Sequence, residues 1–157
     1  MKINTLLIVS LFFVVISCKS AASSVATTEA AAADSRQRED ITEKYWKLIE
    51  INGKPVELNE TFAREPYIKL REDSMQVIGH GGCNQLSGTY EIDREIQRIR
   101  FSQMVSTMMA CINMEIEGQL KKVLEMTDNY SISDDGRYLS LNRARMSPLA
   151  RFEVIYF

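Results

Sequence analysis

The stretch Gly79–Asp93, "GHGGCNQLSGTYEID", indicates how this chain is built. Its first five residues hold three glycines, the only histidine of the chain and one of its three cysteines, and "GTYEID" then alternates like a β-strand. A phosphate-binding loop would lead into a helix and usually contain a lysine, and neither feature follows here. We therefore interpret the cluster as a turn between two strands.

The region 41–157 is predicted to form one domain, because its length suits a single hydrophobic core. Short alternating segments, separated by Asn, Asp, Gly and Pro signals, predict about eight strands. Trp46, in the first of these segments, is expected to lie in the core rather than to serve as a ligand platform. Besides "GTYEID", the segments are "YWKLIEI", "PYIKLRED", "SMQVIG", "EIQRIRF", "NYSIS", "RYLSLN" and "ARFEVIYF".

One segment departs from this alternation and predicts a helix at about 113–126. Its apolar residues fall at positions 112, 116, 120, 123 and 124, which is the spacing of one helical face. Asn113 can cap the helix, and Glu115 and Glu117 suit the positive end of its dipole. The predicted fold class is α+β: a strongly curved antiparallel sheet of about eight short strands packed on one helix.

The amino terminus has the pattern of an export signal. Lys2 precedes "TLLIVSLFFVVI", which is too short for a bilayer-spanning helix of about 20 residues, and Ser17 and Cys18 follow. Residues 15–18, "VISC", resemble the lipobox of bacterial lipoproteins. The resemblance implies a signal peptide at 1–17 and a Cys18 that carries diacylglyceryl and acyl (palmitate) chains; a leader not cut at Cys18 is the alternative.

Residues 18–40 are expected to form the lipidated cysteine and a tether, since Ala, Ser and Thr dominate after Cys18 and cannot build a core. Lys19 takes the place of the aspartate that favours inner-membrane retention in some bacteria. We therefore expect an outer-membrane protein that faces the periplasm. Removal of 1–17 leaves 18 basic against 21 acidic residues, and no basic stripe suggests nucleic acid, so the expected membrane contact is through the lipid.

The remaining cysteines, Cys83 and Cys111, form an even pair in an oxidising compartment, which predicts a disulfide. Two buried free thiols are one alternative, and a nucleophilic Cys83 beside His80 is another. A third is a soft-metal site, for which thioethers and thiolates suit Cu(I), although methionine is also a common core filler. That site would use His80, Cys83 and Cys111 with Met104, Met108, Met109 and Met114.

Other charged residues give weaker signals. Arg98 and Arg100 share one strand face, which is typical of a solvated surface, with an anion clamp as the alternative. Glu115 and Glu117 are interpreted as dipole partners rather than as an acid and base pair. With one histidine and no paired-carboxylate motif, the sequence favours a protein that is not an enzyme and needs no cofactor.

Two motifs in order resemble the META domain of the HslJ-like heat-inducible lipoproteins. They are "GCNQLSGTY" at 82–90 and "STMMAC" at 106–111, followed by the amphipathic helix and a closing strand pair, and the likeness covers 41–157. Ile112 departs from the pattern, which often has proline after the second cysteine. The resemblance implies structural roles for Gly82, Asn84, Gly88 and Thr107.

The same resemblance implies a small envelope domain that is frequently lipidated, is associated with stress or drug tolerance, and has no established catalytic machinery. We therefore expect a non-enzymatic lipoprotein that contributes to tolerance through binding, with its protein partner or small ligand unknown. A periplasmic small-ligand or copper-binding protein is the alternative. A protease-inhibitor or assembly role is a third hypothesis.

Overall fold

The computed structural model describes residues 40–112, 114–144 and 147–157. Within them lie ten strands and one helix. The elements in chain order are β1 Tyr45–Ile51, β2 Lys54–Pro55, β3 Tyr67–Arg71, β4 Gln76–His80, β5 Gln85–Asp93, β6 Arg98–Phe101, β7 Val105–Ser106, α1 Glu115–Met126, β8 Asn129–Ile132, β9 Tyr138–Asn142 and β10 Ala150–Ile155.

Eight of the strands close into an antiparallel barrel. Neighbours pair in the order β1, β3, β4, β5, β6, β8, β9 and β10, and β10 pairs back with β1 from Tyr45↔Ile155 to Ile51↔Ala150. The two-residue strands β2 and β7 extend this ring by pairing with β1 and β5. The molecule is therefore mostly β.

The predicted α+β class is thus wrong. An open curved sheet packed on a helix would leave its first and last strands as edges, whereas here those strands pair with each other. Local alternation specifies which face of a strand is apolar, but it does not specify that residues 45 and 155 become neighbours. Closure removes both edges of the sheet. The helix content is also small, because the single helix of the described residues has only 12 residues.

The predicted helix at about 113–126 is observed as Glu115–Met126. Asn113, its predicted cap, lies outside the described residues. Met114 occupies the position before the helix and makes no capping hydrogen bond through its side chain. Within the described ranges, no helix is long and apolar enough to span a membrane.

Helix α1 lies across one end of the barrel. It contacts β6 and β1, which are four places apart in the ring of eight and therefore face each other across the interior. The helix buries Leu120, Val123 and Leu124 in the common core. Trp46 is also buried, and its indole N–H donates to the carbonyl oxygen of Ile41 at 2.8 Å.

The two ends of the barrel carry different parts of the chain. At the helix end, the side chain of Asn52, just after β1, donates to Gln119 of α1 at 3.2 Å. The turn 81–84 between β4 and β5 lies at this same end, because β1, β3, β4 and β5 alternate in direction. At the opposite end, which we call the entry end, Arg94 approaches Asp40, the first described residue, at 3.5 Å.

Candidate functional site

The turn 81–84 is held against α1 by a buried carboxylate. Glu117, only 5% exposed, accepts the backbone N–H of Asn84 at 2.8 Å through Oε2 and its side-chain amide at 3.2 Å through Oε1. The sequence predicts only a dipole partner at Glu117 and does not reveal this contact. The sequence does signal that this side chain faces the core, though not which residue it contacts, because Glu117 lies three and seven positions before the core residues Leu120 and Leu124.

The amide of Asn84 joins this turn to the segment after β7. Its Oδ1 accepts the hydroxyl of Thr107 at 2.8 Å and the backbone N–H of Met109 at 2.7 Å, while its Nδ2 donates to the Met109 carbonyl at 3.1 Å. With the bond to Glu117, all four hydrogen-bonding positions of the amide are used. We call this set, Asn84 with Glu117, Thr107 and the Met109 backbone, the Asn84 clamp.

A disulfide fastens the same two segments a second time. Cys83 and Cys111 are joined, with their Cα atoms 5.8 Å apart. Their sulfurs are therefore not free thiols in this structure. Among the described residues, no three His, Cys, Asp or Glu side chains come together as a metal-binding group.

His80 takes part in the turn itself. It is largely buried, and its Nδ1 accepts the backbone N–H of Gly82 at 3.1 Å. Burial, and next the positive charge of Arg64, lower the pKa of His80 below its ordinary value. The ring is thus neutral near pH 7, and since Cys83 is bonded to Cys111, the pair does not form a thiolate and imidazole dyad.

Two glycines allow this close packing. Gly82 has a φ of +104°, a conformation that side-chain-bearing residues rarely adopt. At Gly81, a Cβ atom would lie 2.5 Å from Cγ of Glu117, so α1 can approach the turn only over a glycine. The predicted motif residue Gly88 lies in β5, where a Cβ would lie 2.8 Å from Sδ of Met104.

Residues 107–112, which we call the display loop, turn apolar side chains towards solvent. Met108 is 99% exposed, Ile112 is 92% exposed, and Met109 is also exposed. No charged residue occurs anywhere from Ser102 to Met114. The backbone of the display loop is thus fixed by the Asn84 clamp and the disulfide, whereas its apolar side chains have no cover within the described chain.

A shallow groove of about 420 Å³ adjoins the display loop at Thr107. It lies on the outer wall, where β3, β4, β5 and β7 run side by side. All of its lining residues are uncharged, and they include Tyr67, Ile78, Ser87 and Val105. The display loop and the groove together form the candidate site.

The other predicted candidates are not brought to this site. Arg98 and Arg100 lie opposite Asp93 and Glu91 on β5, so acidic residues alternate with them, as on a solvated face. The methionines also separate, because Met104 is in the core while Met108, Met109 and Met114 are exposed. The structure therefore does not gather the thioethers and cysteines into one cluster.

These features define a class: a small closed antiparallel barrel with a helix across one end and a turn held there by a disulfide and a buried Asn–Glu contact. The family model of the META domain matches residues 39–154. The chain belongs to the META domain family. A comparison with curated proteins finds no match.

Two solved structures share the fold. A protein from Burkholderia xenovorans, solved by NMR, is 17% identical, with a TM-score of 0.58 over 78% of this chain and 87% of its own. A DUF4847 family protein from Bacteroides vulgatus ATCC 8482 is 13% identical, with a TM-score of 0.53 over 74% of this chain and 96% of its own. At these identities the likeness concerns the fold alone.

Proposed function

We propose that this META domain protein is a non-enzymatic lipoprotein of the bacterial envelope that acts by binding through the display loop. It is held in the outer membrane, faces the periplasm and contributes to stress or drug tolerance, as its HslJ-like motifs suggest. No cofactor takes part in this role.

One observation carries the binding role: a fixed backbone presents uncovered apolar side chains. Asn84 binds the Met109 N–H and carbonyl, and the disulfide follows two residues later. Ordering a flexible loop on binding costs conformational entropy, and a loop that is already ordered avoids most of that cost. Exposed apolar groups that are held in place are typical of interaction surfaces.

The envelope location is supported by two features of different origin. The "VISC" sequence at 15–18, which lies outside the described residues, has the composition of a lipidation site. The bond between Cys83 and Cys111 suits an oxidising compartment. Together they favour a secreted and lipid-anchored chain.

The anchoring part is tested by labelling cells with radioactive palmitate and measuring the intact mass of the purified protein. We expect label in the wild type, a mass that corresponds to a chain beginning at Cys18 plus acyl groups, and recovery with the outer membrane. A Cys18→Ser variant should take up no label. An unmodified amino terminus, or a cytoplasmic wild-type protein, would contradict the proposal.

The binding part is tested by complementing a deletion strain under heat and drug stress. Met108→Asp and Ile112→Asp place charge on the display loop, whereas Met75→Asp places it at the entry end, on a residue that is 38% exposed. We expect the two display-loop variants to lose protection and the Met75 variant to keep it. Equal protection by all three variants would remove the display loop from the function.

A small-ligand carrier is a second candidate, favoured by the groove, whose volume of about 420 Å³ is within the range of ligand sites. Its test is ligand-detected NMR with uncharged amphipathic compounds, compared between wild type and Ile78→Asp. The alternative hypothesis of a copper-binding protein is tested by Cu(I) titration before and after reduction of the disulfide. Absence of stoichiometric Cu(I) binding in both states would exclude this hypothesis.

A further inference from the structure

We propose that the display loop docks on an uncharged, apolar face of another envelope protein, on the side of the barrel that points away from the anchoring membrane. This inference deepens the proposed function and depends on the lipid anchor at Cys18. It rests on where the chain enters the barrel and on which groups of the display loop are left for a partner.

The chain enters the barrel at the end opposite the display loop. Strand β5 links the two ends: Arg94, which follows its last residue, approaches Asp40, whereas Gln85, its first residue, receives the backbone N–H of Thr107 at 3.2 Å. A strand of nine residues spans roughly 26 Å. The display loop therefore lies about one barrel length from the point where the anchored segment joins the domain.

The last strand also ends at the entry end of the barrel. Ile155 of β10 pairs with Tyr45 at the beginning of β1, and the ring of Phe157 lies 5.3 Å from the ring of Tyr45. Both ends of the folded chain thus lie at the entry end. Helix α1, the Asn84 clamp and the display loop lie together at the helix end.

The place where the anchored segment joins the domain favours a display loop that faces outward. Cys18 and Ile41 are separated by 22 residues, and Asp40, the first described residue, lies at the entry end beside Arg94. To bring the display loop onto the same bilayer, the segment would have to run back along the whole barrel wall. With the entry end nearest the membrane, no such path is needed.

The chemistry of the display loop identifies the kind of partner. The hydroxyl of Thr107 and the N–H and carbonyl of Met109 are already bound by Asn84. The exposed side chains left for a partner are the thioethers of Met108 and Met109 and the aliphatic chain of Ile112. Such groups do not suit a charged or sugar-rich polymer, whereas they suit an apolar protein surface, to which methionine adapts readily.

The test uses the full-length lipidated protein in intact cells, with a photo-reactive amino acid in place of Met108 and, as a matched control, in place of Met75. Met75 lies in the turn between β3 and β4 at the entry end and is also a partly exposed methionine. We expect a discrete protein adduct from position 108 and none of that mass from position 75. The adduct's linkage site, mapped by mass spectrometry, should lie among uncharged residues of the partner.

Purified components then decide whether this contact is binding. The captured protein should bind the wild-type protein, and Met108→Asp and Ile112→Asp should each weaken that binding at least about tenfold. Unchanged unfolding curves of these variants would show that folding is intact, since both side chains are almost fully exposed. No adduct at position 108, adducts only with a second copy of this chain, or unchanged affinity would overturn the inference.

A vesicle experiment separates this inference from the proposed function. The lipidated protein carries an environment-sensitive fluorophore at position 108 in vesicles of phosphatidylethanolamine and phosphatidylglycerol with brominated acyl chains. We expect no quenching; strong quenching in lipidated protein would place the display loop in its own bilayer and overturn the inference alone. Absence of the lipid on wild-type Cys18 would instead overturn the proposed anchoring.

Discussion

Glu117 and Asn84 are 33 residues apart in the chain and are bound to each other twice, through the backbone N–H of Asn84 at 2.8 Å and its side-chain amide at 3.2 Å. Hydrogen bonds to an ionised carboxylate are stronger than those between neutral groups. The first turn of α1 also favours a negative charge. This contact therefore links the helix, the turn 81–84 and, through Asn84, the display loop.

The first prediction concerns this carboxylate. Glu117→Gln should lower the free energy of unfolding by about 2 kcal/mol, because the amide replaces one acceptor with a donor that faces the N–H groups of Asn84. Urea unfolding followed by Trp46 fluorescence measures the change. Glu115→Gln, in the same helical turn but exposed, is the matched control and should change stability much less. An equal decrease in the free energy of unfolding of both variants would show that the buried contact of Glu117 stabilises the fold no more than the exposed Glu115 does.

The second prediction concerns the bond between Cys83 and Cys111. Replacing both with alanine should lower the free energy of unfolding by roughly 3.6 kcal/mol, since the bond closes a loop with a sequence separation of 28 in the unfolded chain. Paired denaturant curves of the two proteins give this value. Alkylation of the native wild type should add no mass until a reductant is present; two thiols that react in native protein would contradict the bond.

The third prediction concerns pH. The pKa of His80 is lowered by burial and by Arg64, so the unfolded chain takes up a proton at a higher pH than the folded chain does. Stability should therefore be at its full value above the unfolded pKa of about 6.5 and decrease as the pH falls below it and passes through the lower pKa of the folded state. Protonation would also remove the acceptor of the Gly82 N–H.

Denaturant unfolding at a series of pH values measures this effect, with His80→Gln as the comparison. Glutamine can accept the Gly82 N–H without titrating, so its curve should be flat where that of the wild type falls. Hydrogen bonding to Lys69 lowers the pKa of Glu43 below its ordinary value, so this carboxyl group titrates below the range of the histidine. The same slope in both proteins would assign the effect to another group.

The fourth prediction concerns methionine oxidation. Hydrogen peroxide transfers one oxygen to a thioether, which becomes a sulfoxide while the peroxide becomes water. Met108, at 99% exposure, should react first, and Met104, at 3%, should resist until the protein unfolds. Timed peptide mass spectrometry gives both rates. Oxidation of Met104 at the rate of Met108 in native protein would contradict the structure at both positions.

Much of the local structure could be read from the sequence. The alternating segments correspond to strands, and the helix begins two residues after its predicted start and ends at the predicted residue. The META resemblance is confirmed by the family match over 39–154. These inferences succeed because the apolar periodicity of a strand or a helix, and the signature of a turn, are contained in a few neighbouring residues.

The candidate site was predicted only in part. The resemblance implies structural roles for Asn84 and Thr107, which do bind each other, but the sequence predicts only a dipole role for Glu117. The contact of Glu117 with Asn84 joins residues that are 33 positions apart in the chain. No local sequence pattern shows that two such distant residues meet. The methionines are close together in the sequence, although the fold places Met104 inside and Met108 outside.

The sequence by itself determined the strands, the helix and the turn at Gly81 and Gly82, because these depend on side chains that are close in the chain. Tertiary structure alone decided that β1 meets β10, that α1 crosses the helix end, and that the display loop lies opposite Asp40. Barrel closure follows from the combined twist, tilt and register of eight strands. The combination of twist, tilt and register is a property of the whole sheet, and no short segment of the chain determines it.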